Sequence, residues 1–333
     1  MDARINWKTK EHMKLGEYQE LARKTDQNPR GGKHSGPREP NREEIIPLLG
    51  LVGEVGTLLS EYKKLLRDGE THRSFREEVA EELGDVLWYV ANVTDKFDLN
   101  LEDIASANLK KVRGRWLGPE GGPRLYDDEL DTGQQLPREF AFRFDQEGAE
   151  GARRVRMLDA SSGTPTGDPL RDNSYTDDGY RFHDVIHLAF AAYLGWSPVL
   201  RKLLRNEGRL AHRTPEQVDD AEDGGRAQVV EEAIVAAAYI YAEDHAFLDG
   251  ATTVGQQLIR HIERMTRKLE VGDRLAWEWD RALLSGFAVW RELMRNGEGY
   301  VVGNLNTPSL EFRLNTGQIG SDGGHDVVTQ ARA

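Results

Sequence analysis

The chain of 333 residues contains no cysteine, which excludes disulfide bonds and thiolate metal ligands and favours a cytoplasmic protein. It has no uninterrupted apolar run of the roughly 18 residues that cross a bilayer. Its polar first residues lack the apolar stretch of a signal peptide. Basic residues number 44 against 57 acidic ones, and the net charge of −13 disfavours binding to a phosphate backbone. We therefore expect a cytoplasmic protein with no membrane segment and no nucleic-acid partner.

The length and the apolar pattern of the first third predict a small helical domain. A chain of 333 residues with 38% hydrophobic residues favours two domains. Helical periodicity predicts helices over 14–24, 43–67, 74–97 and 101–116. Ser74 followed by Glu77 is typical of a capping box, and the segment 26–42, rich in proline, glycine and charge, predicts a loop. Residues 1–118 thus predict an all-α four-helix domain.

The pattern changes after the glycine- and proline-rich segment 117–123. Alternation in 138–146 and 153–160 predicts a two-stranded hairpin. Further helices are predicted over 181–195, 227–245, 254–269 and 273–295. Residues 119–313 therefore predict a mostly helical α+β domain, and the polar segment 314–333 predicts a disordered tail.

Acidic side chains border the predicted buried faces of the second and third helices. On the third helix the buried stripe is predicted to be Val79, Leu83, Val86, Val90 and Val93, and on the second Leu51, Val55, Leu58, Tyr62 and Leu65. The residues that flank these stripes are Glu78, Glu82 and Asp85 on the third helix and Glu54, Thr57 and Glu61 on the second. Pairing the helices brings like charges together, which is costly unless a cation neutralises them.

A cluster of carboxylate oxygens is what Mg²⁺ prefers, and Mg²⁺ in turn binds triphosphates. Spacings of three and seven residues keep such ligands on one face of a helix. The alternative is a helical edge crossed by ordinary salt bridges, for which the cationic partners would be Lys63, Lys64, Arg67 and Arg76.

Three segments decide between these interpretations. They are LLGLVGEVGTLLSEYKKLL, EEVAEELGDVLWYVANV and ANLKKVRGRW, and they resemble the all-α nucleoside triphosphate pyrophosphohydrolases, the MazG and dCTP pyrophosphatase-like proteins. The opening GEYQELARKT is similar to that family's first helix, so the resemblance covers about residues 12–116 in order. The family hydrolyses nucleoside triphosphates to monophosphate and pyrophosphate in dimers or larger assemblies, so the resemblance implies a homo-oligomer.

The resemblance also implies a metal site. In the family, acidic residues in an ExxE and a following ExxD pattern bind Mg²⁺, or Mn²⁺ in its place, and activate water. Carried over, these are Glu54 and the pair Glu82 and Asp85, while the second position of ExxE falls on Thr57, a departure. Glu61, one turn further on, is the candidate replacement ligand. The carboxylate that orients the attacking water is expected to be Glu54, Glu61 or Glu78.

The fourth helix offers groups for the phosphates. Asn108, Lys111 and Arg115 share one face, and the family's NxxK pattern contacts phosphate at this location. The alternative is a solvated basic face near a helix C-terminus. Trp88 lies across the third helix from the core stripe, where it would stack on a base or pack against a partner subunit.

The second domain contains two histidines four residues apart, His183 and His187, at the edge of an apolar helical face. This spacing lets two imidazoles hold one transition metal. Asp184 follows His183 directly, so its side chain is expected to point some 100° around the helix axis from that of His183. The other polar groups expected near a second site are Glu231, Glu232 and His245. The alternatives are a pair of core-edge histidines hydrogen-bonded to carboxylates and a ligand-binding pocket.

The sequence therefore predicts a Mg²⁺-dependent nucleotide hydrolase that clears nucleotides or depletes them in stress or phage defence. Two other interpretations stay open. In the first, Thr57 weakens catalysis and leaves a nucleotide-sensing module that controls the second domain. In the second, the C-terminal domain is the enzyme and the first domain is a dimerising platform.

Overall fold

A computed structural model describes residues 13–27, 42–118, 125–211 and 225–315. Most of the predicted loop at 26–42, most of the junction at 117–123 and the tail from residue 316 onward lie outside the described residues. The chain folds into two compact units, Met1–Arg113 and Gly114–Ala333.

The described part of the first unit consists of helices and their short connectors, as predicted. The helices are α1 (Leu15–Thr25), α2 (Arg42–Asp68), α3 (Phe75–Lys96) and α4 (Leu101–Trp116), which continues into the second unit. Both α1 and α2 pack against α3. Gly50 lets α2 approach α3 closely, because a Cβ there would stand 2.1 Å from Cε1 of Tyr89. The close pairing of α2 with α3 sets the distance between their acidic edges.

The predicted capping box at the start of α3 is wrong. Ser74 is the N-cap residue, but its side chain accepts no capping hydrogen bond. Its backbone is not extended (φ −86°, ψ 8°), whereas a capping serine or threonine normally has extended backbone angles. The helix therefore begins as predicted without the predicted cap.

A small core joins α1, α3 and the start of α4. Its buried members are Ala22, Ala91 and Leu101, with Tyr18, Trp88 and Val90 packed around them. The predicted buried stripes on α2 and α3 are only partly correct, because Val55, Tyr62 and Leu83 are exposed. Among the described residues, α1 and α2 pack on α3 and leave part of the apolar faces of α2 and α3 uncovered.

An apolar seam runs along the exposed side of α2 with alternating spacings of three and four residues. Its members are Ile45, Leu48, Val52, Val55, Leu59, Tyr62 and Leu66, each between 40% and 72% exposed. This is the heptad spacing by which a helix packs along a partner helix. We call these seven residues the α2 seam.

The apolar character of α2 also satisfies a composition test for membrane spans. Among the described residues, Glu43–Thr71 contains one window of mean hydropathy 1.3 that is long and apolar enough to cross a bilayer. Only 11% of that window is buried. A single helix of this kind is weak evidence for a membrane span, because apolar helices of water-soluble proteins satisfy the same test.

The second unit is α+β and mostly helical, as predicted. Its strands are β1 (Glu139–Glu147), β2 (Arg154–Asp159), β3 (Glu298–Asn304) and β4 (Ser309–Arg313), and its helices are α5 (Asp184–Leu194), α6 (Pro198–Asn206), α7 (Gly225–Glu243), α8 (Gln256–Thr266) and α9 (Ala276–Asn296). The strands form one antiparallel sheet in the order β2-β1-β3-β4. The predicted hairpin is β1 and β2, whereas β3, β4 and α6 were not predicted.

The helix α5 lies at the centre of this unit. Almost every one of its residues is buried, and it packs against α9 and against β3 and β4. Gly286 on α9 permits the close approach, since a Cβ there would lie 3.1 Å from Cβ of Ala189. The N-terminal end of α5 carries His183, Asp184 and His187, so the fold holds these side chains on a rigid helix.

Candidate metal centres

Three carboxylates from α2 and α3 converge in the first unit. Glu54 on α2 and Glu82 and Asp85 on α3 each offer an oxygen, and these oxygens lie within 4.8 Å of one another. The spacing of three residues puts Glu82 and Asp85 on one face of α3, and the close packing of α2 brings Glu54 to the same place. We call these three residues the carboxylate cluster.

The electrostatics of the cluster call for a cation. Burial raises the pKa of Glu82, and the charges of Glu54 and Asp85 raise it further. The Oε2 atom of Glu82 is buried and accepts no hydrogen bond from any described residue. An unpaired buried carboxylate oxygen beside two like charges is unstable without a positive partner. The residues present therefore fit a divalent cation with oxygen ligands.

Glu61 lies outside this cluster in the structure. Its carboxylate is buried, accepts a hydrogen bond from Nζ of Lys64 and lies 3.2 Å from Nε2 of His72. The hydrogen bond from Lys64 lowers the pKa of Glu61. Its charge nevertheless contributes to the raised pKa of Glu82, so the two carboxylates are neighbours. Its role as a fourth ligand stays a prediction.

Thr57, at the position where the family has an acid, is exposed, and its hydroxyl donates to the carbonyl of Gly53 at 3.3 Å. Glu78, half-buried, lies one turn before Glu82 on α3, and its charge acts on Lys64. Tyr18 on α1 was not predicted near the site. Burial raises its pKa and the charge of Asp85 adds to the rise, so its phenol lies near that carboxylate.

The groups predicted to bind phosphate lie on α4, and no hydrogen bond or ion pair among the described residues joins them to the carboxylate cluster. Asn108 and Lys111 are exposed, while the guanidinium of Arg115 lies 4.8 Å from the ring of Trp116. Among the described residues, α4 forms no packed pair with another helix comparable to that of α2 with α3. The role of these three side chains stays a prediction.

Trp88 packs against the small core of its own chain, and its contact with a base or a partner subunit stays a prediction. Its ring joins the small core around Ala91, and its Nε1 donates to Oγ1 of Thr25 at 2.8 Å. Trp88 is packed because α1 covers this side of α3, and the periodicity of α3 alone does not reveal that cover.

A second group of ligand-type side chains lies at the start of α5. Single ligand atoms of His183, Asp184 and His187 lie within 4.8 Å of one another, and we call these residues the histidine cluster. Oδ1 of Asp184 is 3.8 Å from Nε2 of His183. The prediction that Asp184 points away is therefore wrong, because side chains in the first turn of a helix lean toward its start.

Glu231 is fully buried and forms hydrogen bonds with three groups around His187. Its carboxylate accepts from the hydroxyl of Ser197 at 2.7 Å and from the backbone N–H of Val199 at 2.8 Å. Its Oε1 lies 2.8 Å from Nδ1 of His187. Burial alone lowers the pKa of His187, but the charges of Glu231 and Glu232 and the hydrogen bond to Glu231 offset this and raise it to about 10.

The structure does not bring His245 to the histidine cluster. It follows the C-terminal end of α7, where its ring stacks on Tyr241 and its Nδ1 lies 2.6 Å from the carbonyl of that residue. Glu231 and Glu232 lie in the first two turns of α7, so the helix rise separates them from His245 by about 20 Å.

Comparison with known proteins bears on both units. The family model described as the MazG nucleotide pyrophosphohydrolase domain matches residues 41–116, and that of the MazG C-terminal domain matches residues 122–316. "Gene 37 protein" of Mycobacterium phage L5 is 41% identical to this chain over 69 residues, which make up 20% of this chain and 60% of the phage protein. No solved structure matches the chain.

Proposed function

This chain belongs to the MazG family, and on that premise we propose that its helical domain hydrolyses nucleoside triphosphates to monophosphates and pyrophosphate with Mg²⁺. The observation that carries the proposal is the carboxylate cluster, in which three acidic residues of two helices meet around a buried, unpartnered oxygen of Glu82.

The carboxylate cluster would hold the Mg²⁺ ion, with Mn²⁺ as the other suitable cation. When bound, the metal would neutralise negative charge on the phosphate oxygens. Glu61 and Glu78 border the cluster, and either one can accept a proton from the attacking water. Glu61 is kept ionised by Lys64, whereas Glu78 lies one turn from Glu82 on the same helix. A carboxylate that stays ionised at neutral pH is suited to orient and deprotonate water.

The phosphate chain needs positive charge and amide donors on the side opposite the carboxylates. Lys111 and Arg115 supply fixed cations and Asn108 supplies an amide, at spacings that share one helical face. They are exposed or half-buried, which leaves them accessible to a ligand. We propose that they hold the triphosphate while the carboxylate cluster positions the phosphorus atom that water attacks.

We propose that the domain works as a homo-oligomer assembled through the α2 seam. Seven exposed apolar residues at heptad spacing are costly in water, and a second copy presents the same surface. Fully burying one Val or Leu side chain contributes roughly 1.5–3 kcal/mol. Such an assembly, a dimer or a tetramer, would also cover the apolar window that satisfies the membrane-span test.

The seam can be tested by introducing charge. The double variant Val52→Asp and Leu59→Asp is expected to be monomeric at concentrations at which the parent protein is a dimer or tetramer, because a carboxylate buried in an apolar interface lacks a partner. Sedimentation velocity measures the mass of each. Ser60→Asp, which adds one carboxylate at an exposed position of the same helix outside the seam, is the control. A monomeric parent, or a double variant of unchanged mass, would contradict the proposed assembly.

A second prediction concerns Mg²⁺ and pH. Because the folded-state pKa of Glu82 is raised, its ionisation reduces the stability of the metal-free fold as the pH rises through that pKa. Mg²⁺ binds the ionised form, so it should raise the melting temperature more at about pH 7.5 than at about pH 5. Calorimetry measures both shifts. Asp85→Asn should abolish them, and an equal shift at both pH values would contradict a Mg²⁺ site that includes Glu82.

The experiment that tests the proposed activity is a screen of ribo-, deoxyribo- and modified nucleoside triphosphates against the full-length protein. Pyrophosphate and monophosphate are the expected products, and the ranking of substrates would identify the base and sugar. Release of inorganic phosphate with a diphosphate instead would contradict the proposed cleavage. In the cell, we propose, the enzyme acts in the cytoplasm to clear or deplete nucleotides, in stress or phage defence among other settings.

The competing proposal is a nucleotide sensor. The departure at Thr57 favours it, because an exposed hydroxyl bonded to its own helix is a weaker ligand than a carboxylate. A sensor would bind nucleotide and Mg²⁺ without releasing pyrophosphate, and would use that binding to regulate the C-terminal domain.

A further inference from the structure

We propose that the C-terminal unit binds a divalent transition-metal ion through His183, Asp184, His187 and Glu232. The site is independent of the Mg²⁺ site and of the proposed hydrolysis. The proposal rests on the orientation of two imidazoles, on one buried nitrogen that makes no hydrogen bond, and on the distances between ligand atoms of the four residues.

Both imidazoles are fixed through Nδ1, which leaves Nε2 of each for a ligand. The Nδ1 of His183 lies 2.8 Å from the carbonyl of Tyr180, and because a carbonyl only accepts, this nitrogen carries the proton. The Nδ1 of His187 donates in the same way to Glu231. A histidine whose Nδ1–H is held by a carbonyl or a carboxylate is the usual arrangement of a metal-ligating imidazole.

The Nε2 atom of His187 is the group that most needs a partner. The side chain is 2% exposed, and this nitrogen makes no hydrogen bond within the described part of the chain. Oε2 of Glu232 lies 3.5 Å away, beyond a good hydrogen bond but suited to a shared ion. His187 therefore lies among the ligand-type side chains of His183, Asp184 and Glu232.

The distances among the ligand atoms suit a metal. Donors bound at about 2.0–2.2 Å around a tetrahedral ion stand roughly 3.4 Å from each other. The separations in the structure are 3.5 Å between Nε2 of His187 and Oε2 of Glu232, and 3.8 Å between Nε2 of His183 and Oδ1 of Asp184. A small inward movement of the side chains would complete the coordination shell.

The ligand types narrow the choice of metal. Two imidazoles with two carboxylates favour Zn²⁺, Fe²⁺ or Mn²⁺, whereas Mg²⁺ prefers oxygen ligands alone. The carboxylates of Glu231, Asp184 and Glu232 stabilise a cation at this point, and a divalent ion that displaces a proton from His187 would receive the same stabilisation. The Glu232 side chain is 49% exposed, so the ion would be reached from that side.

The test uses full-length protein without a polyhistidine tag. After chelation and dialysis, Co²⁺ is titrated and its visible absorbance is followed, and elemental analysis is performed on protein reloaded with Zn²⁺, Mn²⁺ or Fe²⁺. We expect about one equivalent per chain bound by this unit. His183→Ala and Glu232→Gln are expected to lower the affinity by tenfold or more, the latter at a half-exposed position that leaves the core intact.

One control locates the ion. His245→Ala removes a histidine at the far end of α7 and should leave the Co²⁺ absorbance unchanged. The alternative is a protonated His187 held between two glutamates with no metal. Absence of Co²⁺ absorbance and of reloaded metal, or equal binding by Glu232→Gln, His183→Ala and the parent, would overturn the proposal.

Discussion

Replacing Asp85 by Asn, or Glu82 by Gln, is expected to lower Mg²⁺-dependent pyrophosphate release by on the order of 10³-fold. Each change removes one charged ligand from a cluster whose oxygens lie within 4.8 Å of each other. The loss corresponds to about 4 kcal/mol of transition-state stabilisation, since each tenfold change is about 1.4 kcal/mol. The fold should survive, because amides match carboxylates in size and relieve repulsion in the metal-free protein.

The measurement is the steady-state rate of pyrophosphate release, with circular dichroism to verify the helices. Glu81→Gln is the matched control, since Glu81 is an exposed acid on the same helix outside the cluster. Its rate should equal that of the parent. Parent-level turnover by Asp85→Asn or Glu82→Gln would remove these residues from the site.

Glu61→Gln is expected to reduce pyrophosphate release about as severely as Glu54→Gln, again by on the order of 10³-fold, if Glu61 replaces the acid missing at Thr57. The carboxylate is buried beside Glu82 and kept ionised by Lys64, so it is poised to serve as a ligand or to orient water. Thr57→Glu, which restores the family pattern, should then leave the rate unchanged or raise it.

The opposite pattern of activities in these two variants would support the nucleotide-sensor proposal. If Glu61→Gln leaves the rate of pyrophosphate release unchanged and Thr57→Glu raises it strongly, the natural metal site lacks one acidic ligand. Lys64→Met supplies the control for Glu61→Gln, because it breaks the same ion pair without touching the carboxylate. If both variants lose activity equally, the ion pair positions Glu61.

Much of the helical domain was predictable from sequence, since its helices follow apolar periodicity and short connectors. The start and end of α4 were predicted to the residue. Burial was less predictable, because periodicity finds an apolar face without saying what covers it. Trp88 is covered by α1, whereas Val55 and Tyr62 belong to the exposed α2 seam.

The missed elements of the second unit had weaker or overlooked signals. The helix α6 begins with Ser197, whose hydroxyl accepts from the backbone N–H of Leu200, followed by Pro198 in the first turn. This pattern was readable in the sequence. The strands β3 and β4 were not, because β3 pairs with β1 across more than 130 residues and contains two glycines in seven positions.

In both candidate sites, sequence spacing predicted only the residues that share a helix. Sequence spacing identified Glu82 with Asp85 and His183 with His187, because each pair lies on one helix. Partners from another helix depend on packing and were less certain. Glu232 lies beside His187 while His245 does not, although both were expected near a second site.

The most direct measurement for the central claim is the yield of pyrophosphate and monophosphate from nucleoside triphosphates by the full-length protein, with Mg²⁺, after chelation, and after Mg²⁺ is restored. We predict equal amounts of the two products with Mg²⁺, none after chelation, and full recovery when Mg²⁺ returns. Nucleotide binding without product in Mg²⁺ or Mn²⁺, or unchanged turnover after chelation, would contradict a metal-dependent pyrophosphohydrolase built on Glu54, Glu82 and Asp85.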